Sequence, residues 1–532
     1  MKDVLLLLVS FFIIHSLAAQ MPANGVDVQH YRFELQLNDS DNNIKGEADI
    51  TVQFIKPVDK VSFDLVQKQL TGKGMTVTAV KKNDQPVSFT QDAQHVIIDD
   101  TAIVADKNTY HISYEGIPAD GLIISTNKYG HRVFFGDNWP NRARHWLPCN
   151  DHLSDKASLE FIVTAPEHYQ IISNGIRVEE TNLPGHLKRT AYKEDVLLPT
   201  KEMTIGVADF AVNTAGFVGC IPVYSWVYPE DREKGFKEYA ATVKILPWFI
   251  HHIGNYPYQK LANVQSKTIF GGAENAGAIF YYENSVDDPT LEGLLVHEIS
   301  HQWFGNSVSE KDWNHLWLSE GFATYMTHLY HEEKYGPDSL NKRLNTDRDT
   351  VIAFSKRRNT PVSDTSASTN LMKLLNANSY EKGGWVLHML RRKIGDRLFW
   401  KGIQTYYKAY AGGNATTADF ENIMEKVCGE NLKTFFKQWC YTAGQPQLNI
   451  QWSYNNLKKS VKIRVEQLQN SLFEFPIEIG LSDKNKTSVK TINIKKKVTV
   501  KEFSVGSKPD KIEVDPNVNL LFEGESHEFQ NL

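Results

Sequence analysis

Through much of the first two hundred residues, apolar and polar side chains alternate at every second position. Tyr31-Arg32-Phe33-Glu34-Leu35-Gln36-Leu37 and Ala48-Asp49-Ile50-Thr51-Val52-Gln53-Phe54 are two such runs, each with one face for a core and one for water. Asn42-Asn43 and Asn83-Asp84 mark turns between runs. The pattern predicts an all-β domain over residues 21–214. From about Gly235 the period lengthens, and Phe236, Tyr239, Ala240, Val243, Leu246 and Ile250 trace one face of a helix. Helical spacing recurs over residues 321–335, 383–394 and 417–439, predicting a helix-rich domain over 215–443. After Gly444-Gln445-Pro446 alternation returns, as in Val461-Lys462-Ile463-Arg464-Val465 and Thr491-Ile492-Asn493-Ile494. Residues 444–532 should therefore close a small β-sandwich. The class is multidomain α+β, without internal repeats.

The first twenty residues follow a different rule. Met1-Lys2-Asp3 precede an apolar run over residues 4–17 that ends in Ala18-Ala19-Gln20. That run is short for a membrane span and ends in small residues, so residues 1–20 read as a signal peptide cleaved near Ala19. The expectation is an exported protein, periplasmic or secreted, with no stable membrane span. Cys149, Cys220, Cys428 and Cys440 include no C-x-x-C pair. Cys428 and Cys440 are spaced either to bridge neighbouring helices or to remain free thiols. A net charge of −5 gives no reason to expect nucleic acid or an anionic membrane as partner. The lysines at 484, 486, 490, 495, 496, 497 and 501 read as solvated strand faces. Oligomeric state is not encoded in any pattern found.

One helical segment carries chemistry. His297-Glu298-Ile299-Ser300-His301 places two imidazoles one turn apart on one face, with Glu298 just off that line. Leu294, Leu295, Val296, Ile299, Trp303 and Phe304 would bury the segment, and polar groups buried there need partners. A metal ion is the natural one. Glu320 follows nineteen positions after His301, in the apolar stretch Trp317-Leu318-Ser319-Glu320-Gly321, and is the expected third ligand. Two imidazoles, one carboxylate and an open position make a zinc hydrolase site, one Zn2+ per chain, with Glu298 as general base.

The ligand set does not distinguish cleavage inside a chain from cleavage at its end. Gly271-Gly272-Ala273-Glu274-Asn275 does: two glycines admit a substrate backbone, and Glu274 can pair with a free α-ammonium. Tyr380, in Ser379-Tyr380-Glu381-Lys382-Gly383, is the candidate donor to a developing oxyanion.

Residues 271–275 (GGAEN), 297–306 (HEISHQWFGN), 317–325 (WLSEGFATY) and 380–390 resemble the aminopeptidase N family of gluzincins, which also contains leukotriene hydrolase. Leu147-Pro148-Cys149-Asn150-Asp151 and Gly413-Asn414-Ala415-Thr416-Thr417 extend the likeness over nearly the whole chain. The resemblance implies a saddle-like N-terminal β domain, a thermolysin-like α/β catalytic domain and an Ig-like C-terminal sandwich. It also implies a short form without the helical C-terminal domain of many relatives. In site terms it implies His297, His301 and Glu320 on zinc, Glu298 as base, Glu274 as amine anchor and Tyr380 as transition-state donor. Two departures stand out. Ala273 replaces the family's usual Met, removing bulk from the first specificity pocket. Where many relatives carry Gln or Glu, nine residues before Pro148, this chain has Trp139, so Asp137 or Asn138 takes over part of the amine contact, or Glu274 works with less help.

The reading is an aminopeptidase acting on peptides with a free N-terminus. An endopeptidase sharing the zinc site, epoxide hydrolysis, and a peptide-binding module with a vestigial site are its competitors. The preferred side chain is not legible.

Overall fold

The computed structural model describes residues 25–529 apart from 368, 484 and 485. The expected signal peptide and Lys484 lie outside those residues. The N-terminal alternation forms an eight-stranded sheet. Its order is Ile176–Leu183, Leu187–Leu198, Ala157–Pro166, Val26–Gln36, Ile44–Phe54, Lys107–Ile117, Gly74–Lys82 and Gln85–Pro86. Val26–Gln36 runs parallel to Ala157–Pro166 and antiparallel to Ile44–Phe54. Burial in the latter strand alternates without a break, as its sequence requires. A four-stranded and a three-stranded sheet complete this domain.

The second domain begins with a five-stranded sheet, ordered Ala211–Val218, Ile221–Val227, Leu261–Ser266, Ala278–Tyr282 and Gly272–Ala273. The expected boundary at 214/215 falls inside Ala211–Val218, which pairs with Ile221–Val227. Alternation marks a strand but not the sheet it joins. Gly272–Ala273 is an antiparallel edge strand, paired with Ala278–Tyr282 through Gly272 to Tyr281 and Ala273 to Phe280.

Two helices pack beyond that edge. Leu291–His301 buries Leu291, Leu295, Val296 and Ile299. Trp317–Tyr335 is buried on all sides from Trp317 to His331, the mark of a core helix. A third helix, Gly383–Ile394, crosses it at two glycines. A β-carbon on Gly321 would lie 2.8 Å from Gly383 backbone atoms, and one on Gly383 would lie 2.9 Å from the Gly321 α-carbon. Only glycine lets the two backbones meet there.

The C-terminal strands form a four-stranded sheet (Val498–Ser504, Ser460–Gln467, Gln447–Asn455, Glu523–Glu528) and a three-stranded one (Lys486–Ile494, Phe475–Asp483, Lys511–Val514). All four cysteines are free thiols. No helix among the described residues is long and apolar enough to cross a membrane.

Candidate active site

His297 and His301 leave one face of Leu291–His301, and Glu320 enters from the first turn of Trp317–Tyr335. The two Nε2 atoms are 3.2 Å apart, and Glu320 Oε2 lies 3.5 Å from His297 and 3.3 Å from His301. A tetrahedral zinc ion with bonds of about 2.0–2.1 Å sets its ligands roughly 3.3 Å apart, so the donor set fits that ion. It is the one such group of His, Cys, Asp and Glu among the described residues. Burial opposes a charge on His301, yet the Glu320 carboxylate outweighs it and lifts the imidazole to about 10. The site favours positive charge at the point where the three atoms converge.

The far side of His301 is fixed as well. Its Nδ1 lies 3.1 Å from the Phe304 carbonyl and 3.0 Å from Ser319 Oγ. Donation to the carbonyl keeps one proton on Nδ1, so a metal would take the place of the second proton, on Nε2. Gly305 permits this approach, with φ at +116° and no room for a β-carbon, which would lie 2.3 Å from Ser319 Oγ.

Glu298 is buried, and burial, the largest influence on it, pushes its carboxyl well above the usual range. Its carboxylate lies against Gly272, where a β-carbon would come within 2.3 Å of it. Gly272 thus makes room for the Glu298 carboxylate, a reason the sequence alone does not give. A β-carbon on Gly271 would touch only the Leu294 side chain, at 3.9 Å. Tyr380 sits in the π-helical turn Asn378–Lys382, a geometry that recurs at functional sites. Its ring lies parallel to the His297 ring at 6.1 Å. Burial raises the phenol well above its ordinary pKa, so it stays a proton donor.

Glu274 is held by its backbone. Its carbonyl accepts from Gln302 Nε2 and Asn306 Nδ2, both at 2.7 Å. Its side chain belongs to a buried charge cluster. Lys201 Nζ lies 3.8 Å from Glu274, 2.9 Å from Glu202 and 3.7 Å from Glu310. Neither Glu310 oxygen, nor Glu274 Oε1, finds a hydrogen-bond partner among the described residues. Lys201 faces three carboxylates, and buried Lys156 acts on Glu202 and Glu310 at longer range, so three acidic groups stand against two lysines and a further cation would complete the cluster. Lys201 and Glu202 lie in Pro199-Thr200-Lys201-Glu202-Met203, which reads in sequence as an ordinary charged turn.

Other expected contributors take different places. Ala273 follows Gly272 on a strand and so points to the opposite face. Its methyl packs in an apolar cluster with Phe135, Trp226 and Phe280, not in the cavity wall. Asn275 is buried, its Nδ2 without a partner among the described residues, and is not in that wall. Asp137 pairs with Arg142 and accepts from Ile269 N at 3.2 Å and Thr268 Oγ1 at 3.3 Å. Asn138 donates to the Thr200 and Met203 carbonyls and accepts from Trp146. Neither reaches the cavity, whereas Trp139 does, edge-on to Phe270 and Trp313. Asp137 therefore holds the 268–269 segment and does not face the cavity.

His297, His301, Glu320, Glu298, Glu274, Tyr380, Gly271 and Gly272 line one cavity of about 810 Å³. From the triad it runs between the two helices to Glu292, His328, His331 and Arg343.

Two descriptions of one family cover most of the chain: "Peptidase M1 N-terminal domain" matches residues 27–201 and "Peptidase family M1 domain" residues 237–439. A protein described as probable aminopeptidase 2 of Sulfurisphaera tokodaii is 25% identical over 438 residues, 79% of this chain and 55% of that one. Glutamyl aminopeptidase of Bos taurus is 29% identical over 335 residues, 59% of this chain and 34% of its own length. The chain thus spans about half, or less, of the curated relatives it matches. Among solved structures, aminopeptidase A of Legionella pneumophila, in complex with aspartic acid, superposes with a TM-score of 0.82 at 18% identity. That match covers 96% of this chain and 60% of the other and shows a shared fold. With two matched domains, a shared fold and its characteristic motifs in place, the chain belongs to peptidase family M1.

Proposed function

We propose that this chain is a zinc aminopeptidase that hydrolyses the first peptide bond of peptides with a free N-terminus. The observation that carries the reading is the meeting, in one cavity, of the His297–His301–Glu320 set with the Glu274 carboxylate and its surplus of negative charge. A substrate lies along the Gly272–Ala273 edge and places its α-ammonium at Glu274. His297, His301 and Glu320 would hold a zinc ion, which would supply a Lewis acid to acidify a water and polarise the scissile carbonyl. Glu298 takes the proton of the attacking water and passes it to the leaving amine. Tyr380 donates to the carbonyl oxygen as it gains charge, an interaction worth a few kcal/mol. Trp139, Phe270 and Leu375 give the cavity an apolar corner near Tyr380. We assign the site of action to the periplasm or exterior on the signal-like residues 1–20 alone.

Paired peptides test the reading. Aminoacyl reporters and peptides with a free amine should be cleaved, one residue at a time, by the zinc-loaded protein. N-terminally acetylated versions of the same peptides should be inert. Equal cleavage of acetylated peptides would assign the chain to the endopeptidases instead.

A further inference from the structure

The end of the cavity remote from the metal set is not used by this chemistry. His328 and His331 stand eight and eleven residues beyond Glu320 on Trp317–Tyr335, roughly 12 and 16 Å along the helix axis. Both line the cavity, at 5% and 2% exposure, and the Nδ1 atom of each lacks a hydrogen-bond partner among the described residues. His328 Nε2 is taken by Asp347 at 2.6 Å. His331 Nε2 stays 3.8 Å from Glu292, which is itself bound by Lys334 and Tyr335.

Arg343, on the next helix Pro337–Ser355, reaches the same end of the cavity. It is half-buried and makes no hydrogen bond or ion pair among the described residues, feeling Asp347 and Glu292 only at longer range. Burial, then the Arg343 charge, depress the His331 imidazole to about 4, so it is neutral and free to donate. The remaining carboxylate of this region, Asp288, is occupied by Tyr282 and Thr290. A guanidinium with no directly bonded anion, only Asp347 and Glu292 at longer range, therefore stands by His331, whose Nδ1 is closed off inside the protein and whose Nε2 has no hydrogen-bond partner among the described residues. Arginine offers a planar fork suited to a carboxylate.

We propose that Arg343 and His331, supported by His328, form a subsite for the C-terminal carboxylate of short peptides. The proposal deepens the aminopeptidase reading and rests on it. An extended peptide advances about 3.4 Å per residue, so a span of roughly 12–16 Å from the metal set corresponds to some four residues. Peptides of about three to five residues would be gripped at both ends, amine at Glu274 and carboxylate at Arg343. Longer chains would lose the second grip.

Tetra-alanine as the free acid and as the C-terminal amide provides the test with the full-length, zinc-loaded protein. The amide should show a KM about tenfold higher or more, with kcat little changed. Arg343→Met should raise KM for the acid to that of the amide and leave the amide where it was, and Arg343→Lys should recover part of the difference. Equal KM values for acid and amide in the unaltered protein would overturn the subsite, as would an Arg343→Met effect on both substrates alike. Rescue of the amide by a C-terminal Glu side chain would assign the pocket to acidic side chains and overturn the terminal assignment. Should Arg343→Met fail to fold, the acid–amide comparison in the unaltered protein and in His331→Phe still decides. Failure of the parent reading looks different, because neither free-amine peptide would then be cleaved.

Discussion

A methyl group on Gly272 would lie 2.3 Å from the Glu298 carboxylate. The obstacle is the end of a flexible side chain, so Gly272→Ala should fold and displace the base. Turnover should fall by two orders of magnitude or more, close to the loss from Glu298→Gln, with zinc content unchanged. Metal analysis beside steady-state kinetics checks both parts. Full activity in Gly272→Ala would show that the carboxylate does not work from this position.

Chelation should abolish hydrolysis, and added zinc should restore it and raise the melting temperature, since an ion that binds only the folded chain stabilises it. Ser319→Ala removes one of the two groups at His301 Nδ1. Zinc affinity should weaken by about tenfold, read by competition with a coloured chelator.

Lys201 is the counter-charge to Glu202, Glu274 and Glu310. Lys201→Met should cost about 3–5 kcal/mol of stability, because buried carboxylates lose their cation. Adding Glu310→Gln should recover part of that loss. Denaturant midpoints of the two single variants and the double variant measure the coupling. Simple additivity would place Glu310 outside the cluster's energetics.

Asp155 supplies a pH dependence. Burial, opposed by bonds from Val28 N and Asn150, raises its pKa to about 8, against 3.8 in its ordinary state. Between those values the folded chain holds a proton that the unfolded chain has lost. Stability from this group therefore falls as pH rises from about 4 to 8, by at most about 1.4 kcal/mol per unit. Asp155→Asn keeps a neutral amide there and removes the slope. The variant should match the parent near pH 4 and gain about 1–3 kcal/mol over it at pH 8. A constant difference across that range would contradict the shift.

The three-part architecture was legible because long strands and helices repeat their period over many residues. The convergence of His297 and His301 was legible because i and i+4 on a helix share a face. What stayed hidden depended on neighbours distant in sequence. Nothing around Lys201 announces Glu274, and nothing around Arg343 announces the end of a cavity. Ala273 stood beside the amine anchor in sequence, but a two-residue strand is too short for its alternation to be read. Asp137 was close in count to the expected amine contact, yet Arg142 and the 268–269 backbone claim its carboxylate. Leu294 shows the limit from the other side. Its apolar character suggested core, and it lines the cavity.

The contact between Gly321 and Gly383 ties Glu320 and Tyr380 together, since each stands within three residues of the crossing. Neither can be tuned alone. Loops around the cavity can drift without disturbing the spacing of ligand and phenol, which gives the fold freedom to explore new pockets. The same arrangement is a single point of failure: one added carbon at either glycine would push both groups off target in one stroke.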